Sequence, residues 1–267
     1  MTKQRVIRPL IWLLCSSVLM AFSAASFGQR TVSFEADRFG YELRQSAQCA
    51  NQWIDISGSG SELSLSASGS DPAGDDGGVQ LSLPEGLEFY GRWYQSLVIS
   101  SNGYIAFAEN LAAENGGDFS NDCSLPAVPD NGASSFARVA AFHDDLEAGD
   151  AGQIFFQHFT SCPRVGPLAG ESCTVLQWHR WALHGAPSDE LSFEILLYPA
   201  SREVVVQYQN VDAMPSISAS MGLQSANLRS ALNVACNQSN ALPPQGAWCA
   251  AFPAPVEAVY DNSFESP

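Results

Sequence analysis

Apolar residues alternate with polar or small ones along most of this chain, and a helical 3.6-residue period is almost absent after the first 28 residues. Runs bounded by Gly, Pro, Asn, Asp and Ser predict strands over 31–36, 52–57, 62–66, 79–83, 94–100, 104–108, 138–142, 153–159, 173–183, 191–198, 203–208 and 218–224. About a dozen strands exceed what one open sheet usually carries. The pattern therefore predicts an all-β fold, an antiparallel, jelly-roll-like β-sandwich in a single domain.

Two hairpins are legible from their turns. In "LVISSNGYIAF" (97–107), Asn102-Gly103 suits a two-residue type I′ turn, since both central positions need positive φ. That turn sets Ser101 opposite Tyr104 and Ile99 opposite Ala106. Val98, Ile105 and Phe107 then share one face, and Leu97, Ile99 and Tyr104 the other. In "LSFEILLYPASREVVVQYQNV" (191–211) the bend at 199–202 aligns Phe193, Ile195 and Leu197 with Val204, Val206 and Tyr208. Long polar loops are expected at 66–79, 109–135 and 237–248, the second long enough to suggest a functional role.

The first residues change the picture from fold to compartment. Lys3, Arg5 and Arg8 precede an apolar run over 10–22 and the small residues Ser23, Ala24 and Ala25, the layout of a secretory signal peptide over 1–28, cut after 25 or 28. The expected domain then covers 29–252, with an exposed tail over 253–267 and no transmembrane anchor after cleavage. Export points to the periplasm, the cell surface or the medium. Six cysteines follow the leader: Cys49, Cys123, Cys162, Cys173, Cys236 and Cys249. None has C-x-x-C spacing, so disulfides are expected rather than metal thiolates. Of 15 possible connectivities, the sequence neighbours Cys162 with Cys173 and Cys236 with Cys249 are the simplest pairs, leaving Cys49 for Cys123.

Charge narrows the partners. The chain carries a net −16, and loss of the leader leaves 28 acidic residues against nine arginines, a net charge near −19. Such a surface repels phosphate backbones and anionic lipid, which argues against nucleic acid and membrane partners.

Candidate chemistry is sparse. No H-E-x-x-H, G-x-S-x-G or phosphate-loop motif occurs, and no catalytic residue or organic cofactor is expected. The sharpest polar cluster is "AFHDDLEAGDAG" (141–152). There Asp144, Asp145 and Asp150 offer oxygen ligands for calcium, although the spacing is not that of the twelve-residue calcium loop. The same pair Asp144 and Asp145 can be read as the acid and base of a glycan hydrolase, or as turn-stabilising side chains. Asp71, Asp75 and Asp76 form a second acidic turn. His158, His179 and His184 have no ligand-like spacing, and Trp53, Trp93, Trp178, Trp181 and Trp248 are read mainly as packing residues that can also offer a sugar-stacking face.

In order along the chain stand "WIDISGSGSELSL", "DDGGVQLSLPEGLEFYGRWYQSLVISSNGYIAF", "ARVAAFHDDLEAGDAGQIFFQ", "CTVLQWHRW" and "LSFEILLYPASREVVVQYQNV". With an aromatic-Tyr-Gly entry at Phe89, Tyr90 and Gly91, they resemble the nidogen-type extracellular (NIDO) domain of bacterial secreted and surface proteins. The resemblance spans roughly 52–224. It implies a noncatalytic β-sandwich that binds an extracellular protein or glycan in adhesion or matrix assembly. One departure is His143, where the module usually has an aromatic residue before its acidic pair.

Overall fold

The computed structural model describes residues 36–44, 49–121, 123–210, 218–238 and 245–252. The expected signal peptide, all but the last residue of the strand predicted over 31–36 and the expected C-terminal tail lie outside the described residues. All statements below concern the compact unit that begins at Phe34.

Fifteen strands are present among the described residues, with β1 at Glu42–Arg44, β2 at Ser61–Glu62, β3 at Ser66–Ala67, β4 at Gly77–Phe89 and β5 at Arg92–Ser100. Then come β6 (Tyr104–Ala106), β7 (Arg138–His143), β8 (Leu146–Glu147), β9 (Gln153–Phe159) and β10 (Cys173–Leu183). The last are β11 (Ala186–Leu197), β12 (Val204–Asn210), β13 (Ser220–Gln224), β14 (Ala231–Cys236) and β15 (Ala247–Ala251). They form two antiparallel sheets. The first runs β1-β15-β12-β11-β10-β9-β2, with β8 also on β10; the second runs β14-β13-β7-β6-β5-β4-β3. Their facing sides enclose one core in which Trp178, Trp181, Phe142, Phe193, Phe107 and Tyr208 are all buried.

The 191–208 hairpin has the expected register, with Phe193 opposite Tyr208, Ile195 opposite Val206 and Leu197 opposite Val204. The Asn-Gly hairpin does not. Ile99 faces Ile105 and Val98 faces Ala106, so Ser101, Asn102 and Gly103 all belong to the loop, and only Gly103, at φ +74, has a left-handed backbone. This three-residue geometry replaces the type I′ turn. The one-residue shift moves Ile105 and Phe107 into the core with Leu97 and Ile99 and turns Tyr104 to the opposite face.

The reason is that Asn102 is a buried junction. Its side-chain amide donates to Asp76 Oδ1 (2.8 Å), and its carbonyl oxygen accepts from the Leu146 amide (2.9 Å). Gly103 O accepts from the amides of Ala141 and Phe142 at 3.1 and 3.0 Å. The turn ties the acidic loops at 71–78 and 144–147 to the sheet.

A second correction concerns 52–57, which joins no strand. Its alternation serves a different partner. The amides of Gln52, Ile54 and Ile56 donate to the side-chain oxygens of Gln207, Glu194 and Gln177 at 2.9, 3.1 and 2.8 Å. Those three side chains stand in register across β12, β11 and β10, all fully buried. A strap thus crosses the outer face of the first sheet and encloses a smaller core of Ile54, Ile56, Val175, Leu196 and Val205. Burial pushes the Glu194 carboxyl up to about 8, and its Oε2 has no hydrogen-bond partner. The folded state therefore keeps the Glu194 proton at pH values where the unfolded chain has lost it. That contribution to stability is full below the ordinary carboxyl range and is lost as pH rises to about 8. Denaturation from about pH 6 to 9 should show a decline on the order of a few kcal/mol, and in Glu194→Gln this decline should flatten.

The disulfides also differ from the expected set. Cys162 joins Cys173, but Cys49 joins Cys249 and Cys123 joins Cys236. Sequence neighbours did not predict the other two bonds because strand pairing decides them. β1 pairs with β15, bringing Cys49 near Cys249, and the 109–135 loop lies along β14, which ends at Cys236.

Candidate binding site

Three polar regions emerge from this frame. The first lies under the long loop. Arg138, on β7, bridges Glu114 (2.6 Å) and Asp118, all three nearly sealed from solvent. Its guanidinium stacks 4.3 Å from the Tyr104 ring centre. Tyr104 OH donates to Glu114 Oε1 at 3.1 Å, and the same oxygen accepts from the Asn131 amide at 2.6 Å. His143 packs on Tyr104, with ring centres 4.7 Å apart, and its Nε2 donates to Asp118 O at 2.9 Å. Burial and the Arg138 charge pull the His143 imidazole down to about 4, so it is neutral near pH 7. This cluster anchors the loop to the sheet. His143 thus does two things at once, packing on an aromatic ring and satisfying a backbone carbonyl of that loop.

The second region is the acidic turn. Asp144, Asp145 and Asp150 do not converge, which corrects the expected calcium set. Asp144 accepts from Ser218 Oγ (2.6 Å) and from the Asp145 amide (3.0 Å), while Asp150 lies exposed in the following turn. The group that does converge is Asp75, Glu147 and His184, whose ligand atoms lie within 4.8 Å of one another. His184 Nδ1 is 3.0 Å from Asp75, 3.5 Å from Glu147 and 4.0 Å from Asp145. Pairing of β8 with β10 places Glu147 beside the end of β10, and the Ala148 amide draws in the 71–78 loop through Gly74 O at 2.7 Å. This geometry can hold a divalent ion, and equally an imidazolium. The hydrogen bond to Asp75, with the charge of Asp145, raises the His184 pKa. Its pairing contributes below the ordinary histidine range and is lost as pH rises through the folded value. An NMR titration should place His184 above 6.5, and Asp75→Asn should bring it down.

The third region lies in the second sheet. β6 pairs with β5 only at Val98 and Ile99. Below that point the chain at 107–110 diverges from β5, and a notch of about 440 Å³ opens between 92–96 and 107–110, closed at one end by Ala113, Ser134 and Ser135. The Tyr94 and Phe107 rings, 5.0 Å apart, border it on the core side. Trp93 also lines it and is 56 % exposed, whereas Trp178, Trp181 and Trp248 are buried in the core. A Cβ on Gly86 would stand 2.5 Å from the Trp93 indole, so the ring lies against the backbone of β4. A glycine in the β4 bulge makes that close approach possible.

A two-sheet antiparallel sandwich with a strap and three disulfides defines the class of protein: a disulfide-bonded β-sandwich. The NIDO-related family model matches residues 40–247, and the chain belongs to that family. No curated protein and no solved structure matches it. Among the described residues, no helix is long and apolar enough to cross a membrane.

Proposed function

We propose that this chain is an exported, noncatalytic binding module that holds an extracellular protein or glycan partner in the notch beside Trp93. The single observation that carries the reading is that notch. Its volume is in the range of ligand sites, it interrupts an otherwise paired sheet, and it is flanked by a tryptophan more than half exposed. The disulfides and the leader pattern support export, and family membership supports a module without catalysis. Protein and glycan arrays probed with the chain lacking only its expected leader, residues 29–267, test it. Binding that weakens in Trp93→Ala is expected, and no ligand on either array overturns the proposal.

A hydrolytic reading draws on one observation: burial raises the pKa of both Asp144 and Asp145, as a general acid requires. Against it, both Asp144 oxygens are already engaged. Glycanase activity that is lost in Asp144→Asn would displace the binding reading. A calcium-stabilised domain is the third reading, now resting on Asp75, Glu147 and His184. An equal melting temperature in calcium and in chelator would end it.

A further inference from the structure

The notch has a property beyond volume. Its β5 wall is made by five consecutive residues, 92–96. Side chains of a strand alternate between faces, so a wall that includes every residue presents the edge of the main chain. β4 occupies one side of β5 from Phe89 opposite Arg92 to Gly78 opposite Ser100, with a bulge that leaves Gln95 without a partner. On the other side, 92–95 have no strand partner among the described residues, and the Ser96 hydroxyl donates across to Ala108 O at 2.8 Å and closes the slot at that end. Unpaired amides and carbonyls along a strand are a template for another strand. Here they line a slot, with an aromatic floor on one side and a second wall opposite.

From this we infer that the notch takes an extended peptide segment of a partner protein, added to the free side of β5 as an extra strand. The inference rests on the reading of this domain as a binding module and names the ligand of the same site. Strand addition supplies affinity through the main chain and specificity through alternate side chains. One side chain of the peptide would point to the Tyr94 and Phe107 rings and favour an apolar residue. The next would face the polar rim of Gln95, Glu109, Asn110 and Ser134.

Charge selects the peptide further. Within 36–252 there are eight arginines against 24 acidic residues. Arg44, Arg138, Arg180 and Arg202 are already paired with Glu203, with Glu114 and Asp118, with Glu190 and with Glu88. Arg164 is buried on Gln207, and Arg92 lies over Tyr94. The domain as a whole is strongly acidic, while the slot lining itself carries one charge of each sign, Arg92 and Glu109, so it is the overall field that steers in a segment carrying Lys or Arg beside its apolar residue.

The test selects binders from a phage-displayed random-peptide library on the chain lacking only its expected leader, residues 29–267, with the glycan array run in parallel. Expected binders carry an apolar residue flanked by Lys or Arg and weaken with added salt. Methylating the backbone nitrogens of a synthetic binder one at a time should abolish binding at every second position and spare those between. Ser134→Trp, at an exposed loop position on the rim, should fill the slot and weaken binding about tenfold or more, with an unchanged melting temperature showing that the fold is intact. A uniform response to N-methylation overturns the inference, as do binders indifferent to Ser134→Trp. So does concentration-dependent dimerisation abolished by Ser134→Trp, which would make a second copy the occupant. Glycan binding without any peptide binder overturns the inference and leaves the binding module standing; no ligand of either kind overturns both.

Discussion

Gly103→Ala is expected to destabilise the domain by about 4 kcal/mol or more, a large share of the about 5–15 kcal/mol that holds an ordinary domain folded. A Cβ there would stand 2.0 Å from the carbonyl oxygen of Phe142 and 3.0 Å from Leu146. Both obstacles belong to the junction, since that stretch of β7 is bonded to Gly103 O and Leu146 to Asn102. Retreat would break those bonds. Gly132 is the control. It has the same φ of +74, yet nothing lies within 4 Å of its Cβ position. Gly132→Ala should therefore cost only the conformational penalty of about 1 kcal/mol. Urea denaturation of the two variants checks the difference; equal losses would show that backbone conformation, not the close approach, makes glycine necessary at 103.

Arg138→Met should cost about 3–5 kcal/mol near neutral pH, because it leaves Glu114 and Asp118 buried without a counter-charge. Adding Glu114→Gln and Asp118→Asn to Arg138→Met should restore much of the loss, since the buried charges go together. Proteolysis would report where the fold loosens, with cleavage expected first within 109–135. A triple variant no more stable than Arg138→Met would mean that Arg138 acts through packing on Tyr104 rather than through charge.

Much of the scaffold could be read from local pattern. The 191–208 hairpin alternates β-branched and aromatic residues on one face, and that face fixes its register. The Asn102-Gly103 pair was harder, because hairpin statistics describe turns in water and this one is buried against Asp76, Leu146 and Phe142. Those contacts select a three-residue loop. The 52–57 stretch alternates like a strand because its amides do meet a regular row of acceptors, but the acceptors are side chains. Nothing local distinguishes the two cases.

The candidate sites were legible as residue types and not as groups. Asp75 and His184 are 109 positions apart, and only the pairing of β8 with β10 brings them together. Asp144 and Asp145 are adjacent, yet one turns to Ser218 and the other toward His184. Trp93 stood among five tryptophans with equal claims, and only folding buries Trp178, Trp181 and Trp248, leaves Trp53 partly covered and leaves Trp93 the most exposed. The slot along β5 has no sequence signal at all, since it arises where two chain segments part.

The strap has one more consequence. Its amides at Gln52, Ile54 and Ile56 belong to no sheet, yet each donates to an acceptor that solvent does not reach. Deuterium should therefore enter these three positions about as slowly as it enters β10 to β12, and in step with them, because the acceptors are withdrawn only when those strands separate. By its exchange rates the segment would be counted as part of the most slowly opening unit of the molecule, although no backbone ladder contains it.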